Sequence, residues 1–318
     1  MYKIKQIPED FIVKEIPKFE LDDGGEYAYF MLIKKDYTTI KALQTISSKL
    51  NIPLKNIGFA GNKDKRAVTE QMISIRHIKP ERIEKLNLKD ITLKYIGQGS
   101  RPISLGDLKG NKFMITIRDL DSKKIRLRNP KNIINYFGPQ RFSRNNAEIG
   151  KSLVKKNFKK AVELMDNKEV RYYVEDNPGD YVGALRKLPL KTRKIFIHAY
   201  QSYIWNKTVD EYSKTMPYKN ESIPIMGFGT EIKNKDLRPM IRKIMMQQGI
   251  TQRDFIIKQM PELSEEGSER NMYITPENFT AVPDKDELNK DRYKAILEFS
   301  LPKGSYATVI IEHIFNSN

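Results

Sequence analysis

The chain has 318 residues, enough for a large hydrophobic core and for two domains. It carries 57 Lys and Arg residues against 40 Asp and Glu residues, a formal net charge of +17, and this excess favours a polyanionic partner, with nucleic acid the first candidate. It contains no cysteine, which excludes disulfides and thiolate metal sites, and its three histidines, His77, His198 and His313, lie too far apart in sequence to suggest a zinc site.

Two further features of the composition concern the partner and the compartment. Sixteen Tyr and fourteen Phe residues supply flat faces of the kind on which unpaired bases stack, which favours nucleic acid over a charge that only keeps the protein in solution. No apolar run approaches the length that a bilayer requires, and the first five residues contain no apolar signal region. We therefore predict a cytoplasmic protein without a membrane segment.

The first 118 residues combine short strands with one clear helix. Apolar runs predict strands over five segments, 27–33, 57–60, 72–75, 91–96 and 113–118. Apolar residues spaced for one helical face predict a helix over 38–50. In the last strand Phe113, Ile115 and Ile117 are expected to face the core, and Arg118 is expected to face outward. Strands and helices do not alternate regularly, so we predict an α+β domain with a largely antiparallel sheet.

From about residue 151 the pattern becomes helical. Helical periodicity predicts helices over 153–165, 195–212 and 238–260. The middle segment is rich in aromatic residues, which at this density indicate a packed core rather than a base-stacking surface. After a predicted loop over 261–270, the chain is expected to form a strand over 295–301 and a terminal helix over 307–315.

Within one stretch, residues 57–75 with the sequence IGFAGNKDKRAVTEQMISI, the loop 61–66 places a single carboxylate among three cations. Asp64 lies in a loop between two predicted strands, beside Lys63, Lys65 and Arg66. Nearby cations favour the ionised form of a carboxylate, which a nucleophile requires. Charge alone, however, favours an ordinary solvated cluster, because paired carboxylates are commoner in structural networks than in active sites.

The residues around this carboxylate resemble a known signature. The string Ala60-Gly61-x-Lys63-Asp64-x-x-Ala67-Val68-Thr69-x-Gln71 resembles that of the TruD family of tRNA pseudouridine synthases. Four more segments resemble the other motifs of this family and occur in the same order: PEDFIVKE from residue 8, LGDLKGNKF from residue 105, NYFGPQRF from residue 135 and LPKGSYAT from residue 301. Five ordered motifs across nearly the whole chain are more specific than any one of them.

The resemblance implies a fold and an activity. The fold is α+β, a pseudouridine synthase fold with a largely antiparallel mixed sheet, interrupted by an inserted α/β TRUD domain. Residues 1–160 and 275–318 would form the discontinuous catalytic domain, and residues 161–274 the insertion. The activity is the isomerisation of uridine to pseudouridine in tRNA, with uridine 13 of the D arm as the expected target. Neither a metal nor any other cofactor is implied.

The resemblance also assigns two residues to the chemistry. The reaction breaks the N1–C1′ bond of a uridine and rejoins the rotated base through C5, so it needs an extruded base and one ionised carboxylate. Asp64 matches the catalytic aspartate of the family and is expected to act as nucleophile, at the ribose or at a base carbon. Lys5 stands at the spacing of the family's cation that pairs with this acid; an exposed terminal lysine is the alternative.

Four residues are expected to bind the substrate. Phe137 matches the aromatic side chain that packs on the target base, and Phe11 matches a second active-site phenylalanine. Asn135 would project to the same side as Phe137 in an extended segment, where its amide could bond the base or orient Asp64. Lys63 is expected to point away from its neighbour Asp64 and could contact phosphate.

The match is incomplete at one position. The family motif continues Gln-Arg-Phe-Gly, whereas Ser143 follows Phe142 in this chain. A glycine at this place would suit a positive φ, so the difference concerns the local turn geometry rather than the chemistry.

Two other functions compete with this interpretation. The segment from Gly58 to Lys63 suggests a phosphate-binding loop, but a Walker loop requires Ser or Thr after the lysine, and Asp64 would repel phosphate there. A non-catalytic RNA-binding protein or RNA chaperone would share the basic charge and the aromatic content. An acid retained together with Lys5 and the motif phenylalanines favours the enzyme, because a binder of a polyanion does not require it.

Overall fold

The computed structural model describes residues 2–18, 21, 24–84, 86–121, 127, 129–143, 145–216 and 218–316. The chain divides into two compact units, residues 1–131 with 275–318 and residues 132–274. The predicted catalytic and inserted domains, divided at 160/161 and 274/275, stay a prediction. The first division between the compact units falls at 131/132, because the helices of residues 146–163 pack within the second unit.

The strands are β1 (Lys3–Ile4), β2 (Phe11–Pro17), β3 (Tyr27–Lys35), β4 (Ile57–Phe59), β5 (Val68–Arg76), β6 (Ile91–Gly99), β7 (Leu108–Leu120), β8 (Ile133–Ile134), β9 (Ser222–Ile225), β10 (Ser268–Asn271), β11 (Tyr273–Ile274), β12 (Glu277–Lys285) and β13 (Tyr293–Pro302). The α-helices are α1 (Thr39–Leu50), α2 (Glu81–Glu84), α3 (Pro139–Phe142), α4 (Asn146–Val154), α5 (Phe158–Glu163), α6 (Lys168–Asp176), α7 (Tyr181–Arg186), α8 (Leu190–Thr215), α9 (Leu237–Gln248) and α10 (Ala307–Asn316). Short 3₁₀ turns span Pro8–Asp10, Leu54–Asn56, Gln252–Phe255 and Pro261–Leu263.

A mixed sheet forms the first unit. Its strand order is β12-β13-β7-β2-β5-β3-β6, with β1 paired to β7 and β4 paired to β5. The β2–β5 pair is parallel and the other pairs of this sheet are antiparallel. The prediction of an α+β fold with a largely antiparallel mixed sheet is confirmed.

Strand periodicity determines how this sheet is covered. In β3 the side chains of Ala28, Phe30 and Leu32 share one face and pack with α1, whereas Tyr29 belongs to a cluster that includes Met72 and Ile103. The helix predicted over 38–50 is confirmed as α1, which begins after Thr38, whose hydroxyl accepts the Lys41 amide hydrogen.

The second unit is built around α8. This helix buries side chains on most of its circumference, including Tyr200 and Trp205, and the Trp205 indole donates to the Ile223 carbonyl at 3.1 Å. The prediction that the aromatic stripe is core is confirmed. Helix α4 approaches α8 closely at Gly150, where a Cβ atom would lie 2.0 Å from the Phe196 carbonyl oxygen.

Several sequence-based boundaries differ from the structure. The helix predicted over 153–165 is two helices, α4 and α5, and the one predicted over 238–260 ends at Gln248, because Gly249 adopts φ +66°. The loop predicted over 261–270 contains a 3₁₀ turn and most of β10. Strand β12 was not predicted; it lies at the sheet edge with mostly exposed residues and contains Pro283, which only an edge strand tolerates well.

Arg118 faces inward, not outward as predicted. Its guanidinium is buried and bonds Asp10 and Asp286 at 2.8 Å each and Glu287 at 3.0 Å. Charge pairing with three carboxylates explains how a strand position that sequence polarity assigned to solvent can be buried. Among the described residues, no helix combines the length and apolar character needed to cross a bilayer.

Candidate active site

The loop that carries Asp64 connects β4 to β5 and is held by side chains from three separate elements. The Gln71 amide of β5 donates to the Gly61 carbonyl at 3.0 Å, and the Lys63 amide donates to the Thr39 hydroxyl of α1 at 2.9 Å. The Thr39 hydroxyl in turn donates to Gln71 Oε1 at 2.8 Å. These buried and partly buried bonds hold the backbone of the loop at Gly61 and Lys63, next to Asp64.

Lys34 completes this support from β3. Its side chain is fully buried, and its ammonium donates to the backbone carbonyls of Tyr37 at 2.6 Å and Asp64 at 3.0 Å. Burial lowers the pKa of Lys34 to about 8; the Asp64 carboxylate opposes this shift and the Lys63 ammonium adds to it. A cation is thus held beneath the loop, bonded to the main chain of the proposed nucleophile.

Lys5 links Asp64 to Phe11. Its Nζ lies 2.5 Å from Asp64 Oδ2 and 3.9 Å from the centroid of the Phe11 ring, within the range of a cation–π contact. The Asp64 side chain is 34% exposed, so a substrate can reach its carboxylate, whereas Lys5 is half as exposed at 16%. The structure therefore brings three predicted residues together.

Phe11 is more enclosed than the prediction of a substrate contact implies. The residue is only 3% exposed, with Lys5 over its ring and Phe113 packed against it at 6.2 Å between ring centroids. Its position supports the Lys5 side chain directly. Any contact with a base stays a prediction.

Lys63 points away from Asp64, into the protein. Its Nζ lies 2.5 Å from Glu15 Oε2, and the two side chains are 6% and 0% exposed. Glu15 also accepts the Met72 amide hydrogen at 3.3 Å. The ammonium of Lys63 is thus occupied by Glu15 instead of being open to a phosphate, and its part in the site is to anchor the loop to β2.

The turn before Phe11 is fixed by Asp10. Its carboxylate accepts the Ile7 amide hydrogen at 3.0 Å and bonds the buried Arg118. Burial alone would raise the pKa of Asp286, a second partner of Arg118, but hydrogen bonds, from the Asp119 amide first and from Arg118 among others, lower it to about 2. This ionic cluster holds the start of β2 against β7 and so supports Phe11.

In the second unit, Phe137 and Asn135 are held by Arg270. The Arg270 guanidinium carbon lies 4.1 Å from the Phe137 ring centroid, and the same group donates to Asn135 Oδ1 at 2.7 Å and to its carbonyl at 2.8 Å. Trp205 packs edge-on against Phe137 at 5.5 Å, and Asn206 of α8 exchanges two 2.9 Å bonds with the Phe137 backbone. Both predicted residues are buried and rigidly placed.

Ser143, which stands where the resemblance leads one to expect glycine, has φ +43° and ψ −148°. Only glycine adopts such torsions without strain. The position thus retains a conformation that suits glycine while carrying a side chain.

Several residues that support the site were not predicted from the sequence. The burial of Lys34 could have been predicted, because in β3 it lies on the same inward face as Ala28, Phe30 and Leu32. The position of Arg270 could not have been predicted, since it lies in a polar segment that has no apolar periodicity.

The fold defines the class of protein. The crystal structure of a probable tRNA pseudouridine synthase D (TruD) from Methanosarcina mazei is similar with a TM-score of 0.74 and 29% sequence identity, covering 99% of this chain and 93% of that one. The architecture is therefore that of a pseudouridine synthase, an isomerase that acts on RNA.

Sequence comparison identifies the family. The family model described as tRNA pseudouridine synthase D (TruD) matches residues 2–172, 166–223 and 219–314. A probable tRNA pseudouridine synthase D of Methanosarcina acetivorans is 32% identical, covering 97% of this chain and 91% of the relative. The tRNA pseudouridine synthase D of Aquifex aeolicus is 30% identical, covering 99% and 98%. The chain belongs to the TruD family of tRNA pseudouridine synthases, which confirms the resemblance and the enzyme class over the non-catalytic alternative.

Proposed function

We propose that this chain converts uridine 13 in the D arm of tRNA to pseudouridine, with Asp64 as the nucleophile. The observation that carries the proposal is the contact of Asp64 with Lys5, combined with the exposure of the Asp64 carboxylate. Family membership supplies the reaction and the RNA class. The position in the tRNA and the role of Asp64 are the finer parts of the proposal.

The reaction requires a nucleophile, the transfer of protons and space for the base to rotate. A carboxylate oxygen of Asp64 adds to the ribose C1′ or to a carbon of the base, and the N1–C1′ bond breaks. The detached uracil rotates, C5 bonds to C1′ and the bond to the Asp64 oxygen breaks; the C5 hydrogen leaves as a proton and N1 takes one up. Bonds and protons balance without an oxidant or a metal ion, and the carboxylate is regenerated.

Lys5 contributes electrostatics to this chemistry. The ammonium at 2.5 Å compensates the carboxylate, which otherwise faces the phosphates of a polyanion. Its contact with the Phe11 ring fixes its position. The backbone bonds from Lys34, Thr39 and Gln71 hold the loop, so the nucleophile is placed before the substrate arrives.

Phe137 and Asn135 are proposed as base contacts within the second unit. Arg270 fixes both of them, which suits residues that must present a flat apolar wall and an amide in one orientation. The cytoplasmic compartment predicted from sequence is part of the same proposal.

The test replaces Asp64 with asparagine. Asp64→Asn keeps the size of the side chain, and we expect the release of hydrogen from C5-tritiated tRNA to fall below detection while tRNA affinity stays within a few fold. The matched control is Glu70→Gln, which removes another partly exposed carboxylate paired to a lysine, Lys14 at 2.9 Å. This control should turn over normally. Wild-type protein that releases no C5 hydrogen from any tRNA would contradict the function.

A second measurement addresses the position. A tRNA transcript with cytidine in place of uridine 13 should yield no product, and sequencing of the unchanged transcript should map pseudouridine to position 13. Pseudouridine at another position would support the enzymatic activity but reject uridine 13 as the target.

A further inference from the structure

A groove in the second unit lies between α9 and the turn that follows it, residues 249–254, and we call it the α9 groove. Its volume is about 820 Å³, within the range of ligand-binding clefts. Ile241, Met245 and Ile250 form a buried apolar floor, and Met246, at 74% exposure, stands at the edge. Of these four side chains, Met246 therefore presents most of the apolar surface that the described parts of the chain leave uncovered.

The edge of the groove is cationic. Arg238, Arg242 and Arg253 line it and are exposed. Arg238 donates to a backbone carbonyl at 3.0 Å, whereas the guanidinium groups of Arg242 and Arg253 form no hydrogen bond or ion pair among the described residues. Two uncompensated guanidinium groups beside an apolar floor form a charge pattern that attracts anions.

The acid in the lining does not offset this charge. Asp254 accepts hydrogen bonds from the Thr251 amide at 2.7 Å and hydroxyl at 2.9 Å, and it pairs with Lys156 at 3.2 Å. A further cation is added at the C-terminal end of α9, where the Lys155 ammonium lies 3.1 Å from the place that a Cβ atom on Gly249 would take. The groove is therefore positive along its edge.

We propose that the α9 groove binds an unpaired nucleotide of the tRNA substrate together with its flanking phosphates. The exposed Met246 side chain beside the apolar floor accepts the face of a base. Arginine is suited to the edge because its planar group both forks onto phosphate oxygens and stacks on bases. The inference rests on tRNA being the substrate. It assigns to the groove a share of the affinity and none of the chemistry.

The charge part is tested with paired double variants. Arg242→Gln/Arg253→Gln removes two groove cations, and Lys243→Gln/Lys258→Gln removes two exposed cations outside the groove lining that also form no hydrogen bond or ion pair among the described residues. We expect the groove double variant to bind tRNA about tenfold or more weakly near 0.1 M salt, with a salt slope reduced by roughly 1–2, since each phosphate contact contributes about 0.7–0.9. The control should change affinity less than threefold.

The base part is tested by Met246→Ser, with Ile256→Ser as its exposed apolar control outside the groove lining. The groove variant should lose a few fold in tRNA affinity with an unchanged salt slope, because it removes apolar contact and no charge. Photocrosslinking of tRNA that contains 4-thiouridine should also label the peptide around Met245. An affinity loss in Met246→Ser no larger than in Ile256→Ser, or label confined to other peptides, would reject the nucleotide site.

The outcomes separate this inference from the proposed function. If both double variants weaken tRNA binding equally, or if neither weakens it, the proposed nucleotide site in the α9 groove is rejected. This conclusion does not depend on whether pseudouridine forms. If the groove variants bind tRNA weakly and the wild-type protein forms no pseudouridine, the proposed nucleotide site is supported and the proposed reaction is rejected. At saturating tRNA the groove variants should retain wild-type kcat, and a lower kcat with normal affinity would also reject the inference.

Discussion

Replacing Lys34 with methionine removes a buried cation that is bonded to the backbone of the proposed nucleophile, and it keeps an unbranched side chain that is only one atom shorter. In the folded protein its ammonium is fully buried and donates to the carbonyls of Tyr37 and Asp64. The variant therefore tests whether Asp64 depends on support of its own backbone. Rotation of this peptide would displace the carboxylate that contacts Lys5.

Two opposing effects set the stability of the variant. A pKa lowered from 10.5 to about 8 corresponds to about 3 kcal/mol that disfavours the charged lysine in the folded state. Methionine removes this penalty but leaves two carbonyl groups without their donor, at about 1–3 kcal/mol each. We expect the free energy of unfolding at pH 7 to change by no more than about 3 kcal/mol.

Activity should respond far more strongly than stability. A displacement of about 1 Å at a reacting group lowers rates on the order of a hundredfold, so kcat of Lys34→Met should fall by about this factor while KM for tRNA stays near its wild-type value. Lys35→Met is the matched control, because Lys35 is the next residue, has a side chain that is 42% exposed and pairs with Glu9. Its kcat should stay at the wild-type level.

The pH dependence carries a definite sign. Between about pH 8 and pH 10.5 the unfolded chain holds the Lys34 proton and the folded chain does not, so the stability contributed by Lys34 rises with pH in this range. Urea unfolding at pH 7 and pH 10 should show wild type gaining up to about 3 kcal/mol relative to Lys34→Met. A wild-type kcat in the variant, or no change in this difference with pH, would refute the reasoning.

Three further substitutions test the supports of the fold. Arg118→Leu leaves Asp10 and Asp286 buried without their cation, so urea unfolding at pH 7 should show a loss of about 3–5 kcal/mol. Ser143→Gly removes the backbone strain of a residue at φ +43°, which costs about 1–3 kcal/mol, but glycine also adds entropy to the unfolded chain. We therefore expect the free energy of unfolding to rise by about 1 kcal/mol, and a decrease would show that Ser143 is not strained. Gly110→Ala would place a methyl group 2.2 Å from a carbonyl oxygen of β13, so the melting temperature should fall by several degrees. An unchanged melting temperature would show that β7 and β13 can move apart locally to make room for the methyl group.

Local patterns were enough to predict the elements around the site. The apolar spacing of residues 39–50 and the short runs beside Asp64 predicted α1, β4 and β5, because periodicity within one segment determines such elements. The contact between Lys5 and Asp64 spans 59 residues, and only the spacing of Lys5 in the family resemblance suggested it.

Long-range pairing explains what the sequence could not predict. Arg118 is polar in a strand, so its outward orientation was the reasonable expectation, but its partners lie 108 and 168 residues away. Arg270 and Asn135 are 135 residues apart. Partners this far apart in sequence produce no periodic pattern. The positions of these two arginines depend on their polar partners in the folded state.

On the ribosome, the two units are completed in the reverse order of their appearance in the chain. Residues 132–274 are contiguous, so every partner within the second unit has been synthesised before β13 emerges. The central strand β7 instead waits for residues 293–302 before one of its two long edges is paired. Until β13 has emerged, that open edge is a site where nascent chains can join one another, and a chaperone that shields strands would act at this stage.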